Sequence, residues 1–513
     1  MENPCKKALV NFMRFLFVIK NTYLIERIGM MTISAVLKKA GHETEVVMTE
    51  VEDIYKVMEE YKPDFVCYTL MTGEHEYYLQ LNRELKKKFK FFSIFGGIHA
   101  TFVPETIKEE DVDCICVGEG DDAILELVNA IRDGKPYDSI KNLWVKRADG
   151  TIARNEIREL VSDLDRIPAP DREILTKKDI MLKNYKTRVF FIGRGCPYKC
   201  TYCFNDGYNK LFKGKGDIIR FRSVDNVIAE VKSVYEKEKI ECAHFVDDTF
   251  TLAGKSWLRE FGEKFQKEVG IPFLCNVRAN TVDEEMVQIL KKAGCRAVWM
   301  GIEAADDEVR NSLLKRELSK EQMLNACRLF RKYKIKVAVQ NMLGLPTKDT
   351  LKKDLETLKF NIKLKPTYGW SSIFYPYPGT ELYDYTVKHG YFDPKKFNLE
   401  SNKITSPLNF DKKTIKEITN LHKLFGITVS FPFLYPLTRV LIKLPLYNLY
   451  SFIFFAWYGY MAHIVLRPTK LSWKNITDLL KTFVSYFSSV KDMSKKARAQ
   501  KAKSGKVAAP STS

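Results

Sequence analysis

The chain has 513 residues, 45% of them hydrophobic and 12% aromatic, with a formal net charge of +19. Single cores stop growing near about 250 to 300 residues, so this length and apolar content exclude a one-domain chain and require two or three packed domains. The 11 cysteines are scattered, and the opening MENPCKKALVNFMRFLFVIKN lacks a signal-peptide cleavage pattern, which favours a reduced cytoplasm over a disulfide framework.

Taken in chain order, the apolar runs FLFVI, FVCYTL, FFSIFGG and CICVGEG alternate with helical stretches such as MTISAVLKKAGHE. That is the rhythm of a parallel sheet flanked by helices, and it predicts a Rossmann-like α/β domain over 13–140. Residues 141–184, containing RIPAPDRE, read as a linker. Over 185–390 the pattern restarts with six candidate strands, RVFFIGRG, CAHFVDD, PFLCNVRA, RAVWMGIEA, KVAVQNMLGLP and GWSSIFYP, which predict a partial (β/α)6 barrel of TIM type. Residues 391–490 read as an aromatic-rich helical region and 491–513 as a disordered basic tail.

The stretch GRGCPYKCTYCFND, 193–206, sets Cys196, Cys200 and Cys203 in a CxxxCxxC spacing with no fourth cysteine nearby. Thiolates are soft ligands for zinc, copper(I) or iron-sulfur clusters, and a 4Fe-4S cluster held by three of them keeps one iron free for another ligand. The triplet follows a strand and falls at the carboxyl mouth of the barrel, where such barrels place their chemistry. Three core cysteines, or a zinc loop with a distant fourth ligand, remain the plain alternatives.

These residues strongly resemble the radical S-adenosylmethionine (SAM) superfamily, with Tyr202 as the aromatic of its cysteine motif. The resemblance implies a 4Fe-4S cluster on the three cysteines, SAM chelated to the free iron, and an external electron donor such as flavodoxin or ferredoxin. It also implies roles around SAM: Asp247 and Asp248 of HFVDDTF near its amino group, Arg278 of CNVRAN as a partner for its carboxylate, and Glu303 of MGIEA on its ribose hydroxyls. MLGLPTKD and YPYPGTELYD are similar to the fifth- and sixth-strand segments of the family.

In the first domain, FGGIHATFVPE (95–105) and DCICVGEGDDAI (113–124) resemble the cobalamin-binding domain fused to radical SAM enzymes. Gly96 and Gly97 at a strand end would let the backbone approach a flat ligand. Thr69 sits where such domains use a small hydroxyl near the nucleotide tail, and Glu119 is placed with these as a cofactor-binding residue. The DxHxxG signature is absent after the first strand, where NTYLIERIG stands, so the resemblance implies cobalamin without a histidine on cobalt. His99 is the one candidate replacement ligand, though a lone histidine in a glycine loop is more often a packing residue.

The subgroup so resembled includes hopanoid, peptide and antibiotic methylases and the anaerobic cyclase of bacteriochlorophyll synthesis. It implies methyl transfer from methylcobalamin to a carbon radical made by a 5'-deoxyadenosyl radical, with ring closure or another carbon-carbon bond as the alternative. A tRNA-modifying enzyme fits less well, for want of extra amino-terminal cysteines or a carboxyl-terminal RNA-binding barrel.

At the carboxyl end, LPLYNLYSFIFFAWYGYMAHIVL (444–466) has 23 residues without Asp, Glu, Lys or Arg. It is long enough to span a membrane, but its interruptions suit an interfacial or re-entrant segment better. Helices packed over the barrel mouth are the plain alternative. A helical stripe over 476–490 and eleven Lys or Arg against two Asp from Arg467 to Ser513 add attraction to an anionic surface. Together these predict a cytoplasmic enzyme peripheral on the membrane, acting on a hydrophobic lipid or isoprenoid-derived substrate and binding no nucleic acid.

Overall fold

The computed structural model describes residues 12–395 and 405–467. They fall into two compact units: residues 12–184 with Gly207–Arg222, and Tyr185–Asp206 with the described residues from Ser223 to Arg467.

The first unit holds β1 (Arg14–Ile19), β2 (Glu43–Met48), β3 (Phe65–Thr69), β4 (Phe92–Gly96), β5 (Cys114–Cys116), β6 (Leu143–Lys146) and β7 (Ile152–Arg154), in the order β2-β1-β3-β4-β5-β6-β7. The first five are parallel. Helices α1 (Ile28–Lys39), α2 (Ile54–Tyr61), α3 (His75–Lys86), α4 (Ile98–Phe102) and α5 (Asp121–Arg132) fill the connections. Strand β1 is apolar from Phe15 onward because both its faces are covered. Phe15, Phe17 and Ile19 enter one core, and Leu16 and Val18 enter the other. Each such side chain contributes about 2 kcal/mol on burial.

Residues 141–184 are not a free linker. Strand β6 pairs antiparallel with β5, and β7 with β6, turning at Gly150, whose φ of +82° suits glycine. The stretch 207–222 also belongs to this unit rather than to the barrel. Phe212 is fully buried where a Cβ on Gly118 would meet its ring, and Arg220 pairs with Glu119 at 2.8 Å.

The second unit places all six expected strands in one sheet in sequence order: β8 (Thr187–Phe190), β9 (Cys242–Phe245), β10 (Phe273–Val277), β11 (Cys295–Glu303), β12 (Lys336–Leu343) and β13 (Tyr368–Ile373), all parallel. Between them run α6 (Val224–Glu238), α7 (Gly254–Glu268), α8 (Glu284–Lys292), α9 (Lys320–Lys332) and α10 (Thr350–Leu364). Ser223, Asp283 and Ser319 cap α6, α8 and α9, the last through a full capping box with Gln322. Beyond the sheet come α11 (Glu381–Lys388), α12 (Lys412–Ser430), α13 (Tyr435–Leu441) and α14 (Tyr447–Gly459), which runs on as Tyr460–Leu466. Helix α12 lies tight on β13, because Cβ atoms on Gly369 and Gly426 would meet Val429 and Tyr368 at 2.9 Å.

The uncharged stretch 444–466 divides in two. Its second half packs on the sheet: Met461 and Leu466 join Cys242, Leu274, Ala297, Ala338 and Tyr368 in one core. The contact is at the amino ends of the strands, where Arg296 Nε donates to Leu466 O at 3.1 Å and Lys336 to Val465 O, so the segment does not cover the barrel mouth. His463 shares a hydrogen bond of 3.2 Å with Tyr185, and burial holds its imidazole down to about 3. The stripe over 476–490 and the basic tail lie outside the described residues.

Candidate active site

Side chains alternate along a strand. The sheet face that carries Cys242, Leu274, Ala297 and Ala338 low down therefore carries Val246, Asn276, Trp299, Gly301 and Gln340 nearer the carboxyl ends. These upper residues and the cysteine loop enclose a cavity of about 220 Å³, lined also by Cys196, Cys200, Cys203, Tyr198, Tyr202, Asn205, Asp248, Arg278, Glu303 and Arg316. Trp299 both lines the cavity and packs on the Met461–Leu466 core, so that core is the cavity floor.

The cysteine loop is anchored at Thr201, whose Oγ1 donates to Leu313 O at 2.7 Å and whose N–H donates to Leu314 O at 3.2 Å. Burial pushes the Cys196 thiol up to about 11 and that of Cys203 up to about 12, so both stay protonated until a cation displaces the protons. Among the described residues no three His, Cys, Asp or Glu side chains converge on a single-ion site. A 4Fe-4S cluster requires no such convergence, because it takes each thiolate on a different iron; three separated thiols around a cavity fit it, and a mononuclear zinc loop they do not.

Tyr202, Glu303 and Arg316 form one buried network. The Tyr202 hydroxyl donates to Glu303 Oε1 at 3.2 Å and accepts from Arg316 Nη1 at 2.6 Å; Arg316 Nη2 donates to Gly301 O at 2.6 Å, and its Nη1 lies 3.5 Å from Glu303 Oε1. Burial pushes the Glu303 carboxyl up, against the pull of Arg316 and Tyr202. Glu303 sits at φ +65°, a conformation that persists only where surroundings impose it. A Cβ on Gly301 would lie 2.5 Å from Glu303 Oε1 and 3.0 Å from Arg316 Nη2, so a side chain here would push both ends of the pair aside.

Arg278 stacks on Tyr198 at 3.7 Å, approaches Cys200 Sγ at 3.6 Å and donates to Arg316 O. Arg278 Nε, Arg316 Nε and Trp299 Nε1 are buried donors without a partner among the described residues. Three unspent N–H groups on residues lining one cavity, beside the acceptors Asp248 and Glu303, suit a zwitterionic ligand such as SAM.

The two aspartates part company. Asp248 lines the cavity, and burial pushes its carboxyl up. Asp247 does not line it; its Oδ1 accepts from Ile192 N and Gly193 N, both at 2.9 Å, which fixes the end of β8 just before the cysteine loop. Asp247 Oδ1 is thus spent on positioning the loop, while its Oδ2 is a buried acceptor without a partner among the described residues. Arg316, Trp299, Asn276 and Gln340 were missed by sequence reasoning, being long-range neighbours without a local motif.

In the first unit, the order 2-1-3-4-5 puts the ligand crevice outside the carboxyl ends of β1, β3 and β4. Thr69 and Gly96 are register partners there, and Ile25, Met71 and Ile98, in the segments just past these strands, are 66%, 48% and 45% exposed. Small residues at two strand ends beside exposed apolar side chains fit the tail and the flat face of a corrin. Gly97, at φ +93°, has a different cause from the one expected: a Cβ would meet Leu70 O at 2.9 Å, so the close approach is to the protein's own backbone. Glu119 is also reassigned, because its carboxylate accepts from Arg220 at 2.8 and 3.1 Å and from Val161 N at 3.1 Å, leaving it a buried structural ion pair. His99 is buried, shares a 3.0 Å hydrogen bond with Thr72, and stacks on His75 at 4.0 Å; burial, then the His75 charge, hold its imidazole down to about 3.

Comparison with known proteins agrees with this geometry. Residues 16–128 match the B12 binding domain and residues 190–358 the radical SAM superfamily. An uncharacterized methyltransferase of Pyrococcus horikoshii is 28% identical over 65% of this chain and 72% of its own length. The anaerobic magnesium-protoporphyrin IX monomethyl ester cyclase of Rubrivivax gelatinosus is 25% identical over 78% and 74%. Among solved structures, the radical SAM methyltransferase TsrM of Kitasatospora setae, with tryptophan and a SAM analogue bound, superposes with a TM-score of 0.62 at 18% identity, covering 74% of this chain and 76% of its own. With a thiol-lined barrel cavity in one unit and a B12 binding domain in the other, the protein belongs to the cobalamin-binding radical SAM enzymes, whose cofactors are a 4Fe-4S cluster, SAM and cobalamin.

Proposed function

We propose that this enzyme methylates an unactivated carbon of a hydrophobic substrate, a membrane lipid or an isoprenoid-derived hydrocarbon. When bound, the cluster and SAM supply a 5'-deoxyadenosyl radical that takes a hydrogen atom, and cobalamin supplies the methyl group. The observation that carries the reading is the cavity at the cysteine loop, with its three thiols and its unspent donors on Arg278, Arg316 and Trp299. In it Arg278 and Arg316 hold an anionic group, Glu303 and Asp248 accept from hydroxyl or ammonium hydrogens, and the apolar floor excludes water from the reacting atoms. In the first unit Thr69, Gly96 and the exposed apolar loops hold cobalamin.

A hydrophobic substrate is supported by the apolar, acid-free segment from Phe431 to Leu466. The partners proposed with it are a one-electron donor such as flavodoxin or ferredoxin and a membrane surface on the cytoplasmic side; nucleic acid is not among them. Radical ring closure or oxidation of a lipid or tetrapyrrole is the second reading, favoured by the likeness to the R. gelatinosus cyclase. Lipid mass spectrometry of a deletion strain separates the two. Loss of the enzyme should leave a lipid lighter by one CH₂ group; a change of two hydrogens favours cyclisation, and an unchanged lipid profile beside altered soluble metabolites refutes the lipid substrate.

Cobalamin bound to the full protein is expected to give a base-off visible spectrum, because His99 is tied to Thr72 and His75. The same spectrum is expected in His99→Ala. A nitrogen-ligated spectrum that His99→Ala abolishes would overturn this assignment.

A further inference from the structure

We propose that the outer face of α13 and α14 is a docking surface for an anionic phospholipid bilayer, entered from one side only, which deepens the hydrophobic-substrate reading by giving it a surface at which to meet its lipid. Phe433, Leu437, Val440, Leu449 and Phe452 are 76%, 50%, 57%, 51% and 59% exposed. On α13, Leu437 and Val440 are three residues apart, as are Leu446, Leu449 and Phe452 at α14, so each set shares one face of its helix. The opposite faces are closed: Thr438 bonds to Thr428 of α12 at 2.8 Å, Tyr450 to Leu441 O at 2.8 Å, and Ser451 receives Lys423 at 2.7 Å. The exposed side chains are therefore a fixed surface on a packed layer.

Charge selects the occupant. Between Phe431 and Arg467 there is no Asp or Glu, while Arg439 and Lys443 are exposed on the same segment. Beside it opens a cavity of about 360 Å³ whose lining includes Lys412, Lys416, Thr419, Asn420, Pro445 and Tyr447. Apolar side chains rimmed by cations, tyrosines and a recess with two lysines suit acyl chains under anionic headgroups. The chain outside the described residues, 468–513, adds ten Lys or Arg against two Asp.

Tyr447–Leu466 is long and apolar enough to cross a membrane by length and composition. A crossing would pull Met461 and Leu466 from the core beneath Trp299 and break the bonds from Arg296 and Lys336. The helix therefore lies on the bilayer at its first half and ends in the floor of the active-site cavity at its second.

The test is flotation of the full-length holoenzyme with vesicles of phosphatidylcholine alone or mixed with phosphatidylglycerol. Binding to the mixed vesicles, weakened at least tenfold in phosphatidylcholine alone, is expected, with release by alkaline carbonate. The triple variant Phe433→Glu, Leu437→Glu, Phe452→Glu should lose at least tenfold in bound fraction while keeping its iron content and its 5'-deoxyadenosine formation in solution. A chain ending at Arg467 should still float. Equal flotation of the triple variant, loss of binding only on removal of 468–513, retention after carbonate, or a soluble dimer that the triple variant splits would each overturn the proposal. None of these readouts depends on the lipid product, so a failed surface and a failed substrate assignment are told apart.

Discussion

Anaerobically reconstituted Cys200→Ala protein is expected to hold little iron and to cleave SAM at least a thousandfold more slowly than the parent, about 4 kcal/mol in the barrier. Cys200 is buried in the loop that Thr201 pins to Leu313 and Leu314, with the Arg278 guanidinium 3.6 Å from its sulfur. Two remaining thiols cannot hold a cluster whose ligands must each take one iron. Cys327→Ala is the matched control: Cys327 is equally buried but lies on α9, away from the cavity lining. Full iron content and turnover in Cys200→Ala would remove the cluster assignment.

The second large effect is expected in Arg316→Ala. Deleting one partner of a buried ion pair costs about 3 to 5 kcal/mol, because the other charge is left in a low-dielectric site. Here Glu303 would keep only Tyr202, and burial would drive its carboxyl to take up a proton. The melting temperature should fall by roughly 10 °C, and the KM for SAM should rise by at least tenfold. Gly301→Ala should reproduce much of the KM change without removing any polar group, since its new Cβ displaces both members of the pair. Unchanged KM values in both variants would take Arg316 and Glu303 out of the SAM site.

All six barrel strands were legible, because β-branched and aromatic runs recur between capped helices and each strand is buried on both faces. The CxxxCxxC spacing was legible for the same local reason: eight consecutive positions carry it. What depends on contacts distant in sequence was not. Arg316 meets Tyr202 across more than a hundred residues and belongs to no motif. Asp247 and Asp248 are adjacent just past the end of β9, and no local motif tells which one lines the cavity and which accepts from Ile192 and Gly193. The β6–β7 hairpin was missed although Asp149-Gly150 between the short runs LWVK and TIAR is a hairpin signal. Residues 207–222 and 457–466 were assigned by their place in the sequence; their partners, Glu119 for the one and the starts of β11 and β12 for the other, come from elsewhere in the chain.

The most direct test of the central claim is one reaction: full-length protein loaded anaerobically with iron, sulfide and cobalamin, reduced in the presence of SAM, and assayed by mass spectrometry for 5'-deoxyadenosine alongside iron and cobalt content. Iron for one 4Fe-4S cluster, cobalt retained in the protein, and 5'-deoxyadenosine that disappears in Cys200→Ala are expected; a protein that holds both cofactors and returns SAM uncleaved would contradict it.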